Sequence, residues 1–399
     1  MIRITKLVRG RGTVSEALKY GSLRGAPSWL LSSTQAGRPL VFWNVTNRCN
    51  LSCSHCYINA GSSARGELSL SEAKALVDDL AEMGIPLLMF SGGEPLARED
   101  FWELAAYVKS RGLKTALSSN GTLITRKVAE KIKAVGIEYV GVSLDGASGK
   151  THDAIRGQPG SFDKAVEGLK NCAEVGLKCG VRVTATKDNY FEIPRLLDLS
   201  IKLNVPRFCL YWLVPSGRGR EVYNEKTLKK GEVVQILSLL YAKAKELDPR
   251  NVEILTVDAP QDGVYVLNRL AEEGSPEYES ALNLLKSMDG PCSAGNKIAN
   301  IDPNGNVYAC QFAQLPELKV GNVKERKFSE IWKDDANPIL SKFRNKIGNL
   351  KGKCGECAYK RLCGGGCRIR AYFQYGDLWA EDPFCSMNSV LTSSLKPMA

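Results

Sequence analysis

Cys49, Cys53 and Cys56 stand within eight residues in the stretch NVTNRCNLSCSHCYINAG (44–61), at the spacing C-x3-C-x2-C. A closed structural zinc site takes four ligands, and most iron–sulfur clusters also take four cysteines. Three thiolates point to a metal centre with one corner left open. A zinc loop that recruits His55 as a fourth ligand is the competing reading. Seven more cysteines crowd the C-terminal third: Cys292, Cys310, Cys354, Cys357, Cys363, Cys367 and Cys385. From Cys354 to Cys367 they follow C-x2-C-x5-C-x3-C, and spacing of this kind argues for metal, with zinc as one option. Cys172, Cys179 and Cys209 are isolated and read as small buried hydrophobes.

These residues must be positioned by the rest of the chain. A length of 399 residues suggests two or three domains, or one large barrel with an appendage. Hydrophobic residues at 44% and charged residues at 24% are ordinary for a soluble protein. No stretch offers about 18 uninterrupted apolar residues, and the basic N-terminus lacks the apolar run of a signal peptide. A cytoplasmic protein without a membrane span is expected. The net charge of +11 suits solubility or an anionic partner. No basic block is dense enough for a nucleic-acid arm, whereas a polycarboxylate small molecule fits.

From Pro39 onward, strand and helix patterns alternate six times. The strands are PLVFWNVT (39–46), PLLMFSGG (86–93), KTALSSNG (114–121), YVGVSLDG (139–146), KCGVRVTAT (178–186) and RFCLYWLVP (207–215). The first helix, 69–84, carries a capping-box pattern in Ser69 and Glu72 and a stop signal in Gly84. Apolar strands alternating with amphipathic helices predict an α/β fold with a parallel sheet, either a partial (β/α)6 TIM-like barrel or a doubly wound sheet. In both, ligands gather at the carboxyl ends of the strands, where the first three cysteines fall. The expected divisions are an N-terminal segment (1–38), the barrel (39–250), a linker or helical segment (251–289), a small cysteine-rich domain (290–388) and a tail (389–399).

C-x3-C-x2-C followed by Tyr57 resembles the signature of the radical S-adenosylmethionine (radical SAM) superfamily. The resemblance implies a partial barrel of that type. It also implies a 4Fe–4S cluster on Cys49, Cys53 and Cys56, and S-adenosylmethionine on the cluster's open iron. A 5′-deoxyadenosyl radical would then abstract hydrogen from a substrate carbon. SGGEP (91–95) resembles the turn whose backbone and glutamate receive the methionine ammonium, through Gly92, Gly93 and Glu94. Ser143 and Asp145 would meet the ribose or the methionine carboxylate region, strand-end capping being their alternative role. Arg156 resembles an arginine that braces bound carboxylate, with a surface salt bridge as the alternative. Tyr57 would lie near adenine or beneath the cluster. The fifth strand, VRVTATKDN, departs from the family's glycine-and-glutamate pattern and leaves Arg182 and Thr184 as candidate contacts.

The C-terminal cysteines resemble the family's SPASM extension. By that resemblance Cys354, Cys357, Cys363 and Cys385 ligate one auxiliary 4Fe–4S cluster, and Cys292, Cys310 and Cys367 another. The eighth cysteine is missing, which leaves a position open or filled by a group such as Asp289. The N-terminal segment and its junction with the first strand look like the alternative haem-biosynthesis branch. That implies an iron tetrapyrrole substrate and a low-potential donor such as ferredoxin or flavodoxin. The implied reaction removes acetate side chains from 12,18-didecarboxysiroheme to leave iron-coproporphyrin III. Candidate clamps for substrate carboxylates are Arg24, Arg38, Arg207, Arg218 and Arg220. His55 and His152 offer no clear axial ligand. Propionate decarboxylation of coproporphyrin, haem d1 synthesis, peptide maturation and plain electron transfer are the alternatives.

Overall fold

The computed structural model describes residues 1–10, 37–288 and 292–387. Arg24, Asp289 and the segment 389–399 lie outside the described residues. Successive residues of a strand face opposite sides of its sheet, and this chain uses the two sides differently. Val41 and Trp43 of β2 (Leu40–Asn44), Leu88 and Phe90 of β3 (Leu88–Ser91), and Val140 and Val142 of β5 (Ile137–Ser143) are buried in the main core. There they meet apolar helix faces, as where Phe90 packs edge-on against Phe101. The intervening residues Phe42, Ser91 and Ser143 line a central cavity. Ser118 of β4 (Thr115–Ser119), Arg182 and Thr184 of β6 (Lys178–Ala185), and Tyr211 of β7 (Arg207–Trp212) line it too.

Strands β2 to β7 are parallel neighbours in chain order, joined by helical crossovers. The first helix, Leu70–Met83, starts where the sequence marks it. Ser69 accepts the Glu72 N–H at 3.3 Å and donates its own N–H to the Glu72 carboxylate at 2.7 Å. Gly84 then takes the left-handed conformation that ends the helix.

The expected boundaries need two corrections. The region 251–289 is not only a helical linker, because Glu253–Val257 forms β8, a seventh parallel strand beside β7. Its outer neighbour is β1 (Ile2–Arg3), which runs antiparallel. The cysteine-rich region also shares the barrel's sheet. Its β9 (Ile298–Ile301) pairs parallel with β2, and β10 (Asn306–Tyr308) and β11 (Lys319–Asn322) extend the sheet to eleven strands. The side chains of Ile301, Val307, Phe328 and Trp332 join the same core as the barrel helices. Ser329 donates from its N–H (2.9 Å) and its hydroxyl (2.5 Å) to buried Asp79 of the first barrel helix. The barrel therefore stays open, with the C-terminal region built onto its first strand. Among the described residues no helix is long and apolar enough to cross a membrane.

Candidate active site

The cysteine loop leaves the carboxyl end of β2 and is clasped by three other segments. Gly92 and Gly93 let the turn after β3 press against it, since a Cβ on Gly92 would meet the Thr46 carbonyl and one on Gly93 would overlap the Arg48 carbonyl. The Gly93 and Glu94 N–H groups donate to the Thr46 and Arg48 carbonyls, each at 2.8 Å. Gly157 closes helix Gly149–Arg156 at φ +68° against Ser52, and Gly217 crosses the backbone of Cys56 and Tyr57 at φ +54°. Such close approaches require glycine. Arg218 completes the clasp by donating to the carbonyls of Cys53 (2.9 Å) and Ala60 (2.8 Å).

The thiols sit in a field of donors. The Leu51 N–H reaches Cys49 Sγ at 3.4 Å, the Ala60 N–H reaches Cys56 Sγ at 3.4 Å, and Arg156 Nη1 reaches Cys53 Sγ at 3.6 Å. Burial pushes the Cys49 thiol up to about 11, and it raises Cys53 more strongly than Arg156 lowers it. A metal would reverse this by binding the thiolates. Behind the loop lies a buried cluster. Asp145 pairs with Arg156 Nη2 at 2.6 Å and His55 Nε2 at 3.3 Å, and accepts the Thr184 N–H at 2.8 Å. Burial works against the Asp145 carboxylate, yet Arg156 leaves it below the ordinary range. Burial pushes both His55 and His152 down to about 4, so both are neutral.

Cys49, Cys53, Cys56, Tyr57, Gly92, Gly93, Ser143 and Arg156 all line one cavity of about 1140 Å³, its open mouth included. Asp145 stands behind its wall. Glu94 does not reach it. Its carboxylate is fully buried and accepts from Ser119 Oγ (2.9 Å), the Asn120 N–H (2.7 Å) and the Leu96 N–H (3.3 Å). Glu94 thus ties the end of β4 to the glycine turn. Tyr57 lodges its hydroxyl between Asn44 and Ser91, each at 2.8 Å, with its ring edge-on to Phe312.

Burial drives the Glu94 carboxyl up to about 7 from an ordinary 4.5, despite its three donors. The folded chain then holds a proton between those values that the unfolded chain has lost, so stability falls as pH rises through that window. Glu94→Gln is expected to flatten the decline between pH 5 and pH 8 by on the order of 3 kcal/mol. Unfolding scans of both proteins across that range check this, and parallel profiles would contradict it.

The proposed arginine clamps fare unevenly. Arg38 precedes β2 and Arg207 opens β7, so both lie at the amino ends of their strands, away from the cavity. Arg38 sits beside Gly84, and Arg207 beside Glu253 at 3.5 Å. Arg218 holds the cysteine loop, and Arg220 stacks on Phe373 with its guanidinium 5.5 Å from the ring centre. Several wall residues escaped the sequence reading: Tyr211, Leu213, Asp258, Gln311 and Phe312. Gln311 and Phe312 follow Cys310, so the C-terminal region closes one side of the cavity.

The radical SAM superfamily profile matches residues 43–200, and a SPASM iron–sulfur cluster-binding domain matches residues 292–358. The chain is 42% identical over 392 residues to the Fe-coproporphyrin III synthase of Methanosarcina barkeri, covering 96% of this chain and 97% of that one. The chain belongs to the radical SAM superfamily. It is also 38% identical to the pre-heme d1 synthase of Dinoroseobacter shibae, over 90% of this chain and 88% of that one. Identity to the AdoMet-dependent heme synthase of M. barkeri is 35%, over 89% and 98%. Among solved structures, native anSMEcpe with bound AdoMet superposes with a TM-score of 0.68 at 20% identity, covering 88% of this chain and 95% of that one. Streptococcus suis SuiB does so at 0.67 and 21%, over 88% and 77%. At such identity these two show the shared fold.

Radical SAM proteins use a 4Fe–4S cluster and S-adenosylmethionine, and SPASM domains add auxiliary iron–sulfur clusters. The residues present fit these groups. Three thiols with N–H donors converge on one cavity, and His55 turns its Nε2 towards Asp145. A single zinc ion would need four donors at about 2.0–2.3 Å from one point. His55 directs its Nε2 to Asp145 at 3.3 Å, away from the role of a fourth ligand. Cys49, Cys53 and Cys56 would hold the cluster, which with S-adenosylmethionine supplies one-electron radical chemistry.

In the SPASM region the cysteines fall into two groups. Cys354, Cys357, Cys363 and Cys385 line a second cavity of about 900 Å³. Cys310 faces Cys367 and Cys292, and burial together with those neighbours raises its thiol strongly. Between the groups, buried Asp382 pairs with Arg370 at 3.1 Å and accepts the Cys367 N–H at 2.8 Å. Arg370 also donates to the carbonyl of Asp258, a residue of the cavity wall. After anaerobic reconstitution, replacing Cys49, Cys53 and Cys56 together is expected to remove about four irons and leave the remainder bound. Iron and zinc analysis checks this, and a triple variant holding zinc and no iron would contradict it.

Proposed function

We propose that this radical SAM enzyme removes acetate side chains from 12,18-didecarboxysiroheme to give iron-coproporphyrin III. The observation that carries the reading is end-to-end similarity at 42% identity to a protein named Fe-coproporphyrin III synthase. The cavity supports it with an apolar wall from Phe42, Leu213, Val214 and Phe312, suited to a tetrapyrrole face, and with arginines suited to its carboxylates. The chain's own part is to hold the thiols in a fixed loop, to keep Asp145 and Arg156 paired beneath them, and to close the cavity with the SPASM region. The pre-heme d1 and heme synthase relatives mark the sister reactions on the same substrate class.

The test is substrate dependence. Formation of 5′-deoxyadenosine is expected to rise when 12,18-didecarboxysiroheme is added. A rise with iron-coproporphyrin III instead would move the assignment to the sister decarboxylation. The same reading places the protein in the cytoplasm, where thiols stay reduced. It also gives the protein an acidic electron donor such as ferredoxin or flavodoxin, docking where Lys230, Lys353 and Lys360 rim the second cysteine cavity. Turnover driven by reduced ferredoxin or flavodoxin should weaken with added salt, and salt-independent turnover would contradict that dock.

A further inference from the structure

The floor of the cavity carries a cation with no anion. Arg182 reaches inward from the middle of β6 and lies across Gly141 of β5, where a Cβ would overlap its Nε. Nη1 donates to Ser118 Oγ at 2.7 Å and Nη2 points to the sulfur of Met89 at 3.8 Å, while Nε is buried without a partner. Among the described residues no carboxylate lies within ion-pair distance of it. The groups that face it are Tyr211, Tyr139, Cys209 and Tyr57. Burial raises Tyr139, Cys209 and Tyr211, the last to about 12, so none of these three is an anion at neutral pH.

A half-buried guanidinium whose Nε is shut off from water and which has no counter-ion is costly, and chains normally pair it. Here the chain has made room for the charge with a glycine and surrounded it with neutral hydroxyls. The cysteine thiolates do not explain it. The arginine that reaches a cluster cysteine is Arg156, with Nη1 3.6 Å from Cys53 Sγ, whereas Arg182 spends its contacts on Ser118 and Met89. Asp258, the acidic side chain on the cavity wall, makes no ion pair with Arg182. The missing partner therefore comes with the ligand.

We propose that Arg182 is a carboxylate anchor that draws one anionic side chain of the substrate down into the barrel, between Tyr57 and Tyr211. The forked guanidinium suits a carboxylate bound through both oxygens. As to the tetrapyrrole, the assignment rests on the function proposed above. It makes Arg182 a specificity-determining residue, because a substrate whose carboxylates are masked cannot neutralise the buried charge.

The experiment compares equilibrium binding of iron-coproporphyrin III and its tetramethyl ester to the reconstituted wild-type protein and to Arg182→Gln. Wild type should prefer the acid to the ester. The variant should lose about tenfold or more in affinity for the acid while its affinity for the ester holds. Arg182→Lys should retain part of the preference for the acid, and it carries the test if the glutamine variant does not fold. An acid-to-ester ratio unchanged by either substitution overturns the proposal. So does a fall in S-adenosylmethionine affinity as large as the fall in acid affinity, which would give Arg182 to the cofactor's carboxylate. If wild type binds neither porphyrin, the tetrapyrrole reading fails, and the anchor is then tested with citrate by calorimetry. Loss of citrate binding in Arg182→Gln supports the anchor, and citrate affinity equal in the two proteins, or absent in both, overturns it.

Discussion

Cys53→Ala is expected to abolish reductive cleavage of S-adenosylmethionine, with activity falling by more than about 100-fold. Of the three thiols Cys53 is the most enclosed. Arg156 touches its sulfur, Arg218 holds its carbonyl, and Asp145 lies one arginine away. Removing the sulfur leaves too few thiolates for the cluster. It leaves the strand–helix core untouched, because that core is built from the opposite faces of the strands. Circular dichroism should therefore report a folded protein, while chromatography of the reaction shows no 5′-deoxyadenosine above the cluster-free background. Wild-type yield of 5′-deoxyadenosine would show that the open cluster is elsewhere.

Gly93→Ala should do nearly as much damage without touching a ligand. Its new methyl would collide with the Arg48 carbonyl, a backbone atom that cannot swing aside as a side chain can. Either the glycine turn lifts off, breaking the Glu94 N–H to Arg48 bond, or the cysteine loop shifts. We expect about 1–3 kcal/mol of lost stability and a sharp fall in iron bound at the three-cysteine site. Iron analysis and a melting curve check both parts. A variant that melts and binds iron like wild type would show that the clasp is looser than described. Gly157 and Gly217 offer the same test from the other two sides of the loop.

What the sequence made legible follows from how local each signal is. The cysteine spacing, the glycine turn and the Ser69–Glu72 cap are short-range patterns, and each could be read directly. The six parallel strands were legible because apolar runs alternate with amphipathic helices. The seventh, EILTV, is five residues long and follows the polar stretch DPRN and one valine, so it reads as linker. Pairing of β9 with β2 joins residues more than 250 positions apart and leaves no local trace. The roles of Glu94, Arg218 and Arg370 depend on which carbonyls and donors fold next to them, which no spacing reveals. Arg38 and Arg207 are different: one precedes its strand and the other opens it, so strand polarity alone could have placed them away from the cavity.

The measurement that bears most directly on the central claim is the product of a single anaerobic reaction. Reconstituted protein, S-adenosylmethionine, a low-potential reductant and 12,18-didecarboxysiroheme are combined, and the tetrapyrrole is followed by mass spectrometry. The account predicts loss of both acetate side chains and accumulation of iron-coproporphyrin III, together with 5′-deoxyadenosine. An unchanged 12,18-didecarboxysiroheme, under conditions where the same protein converts iron-coproporphyrin III to a divinyl product, would contradict it.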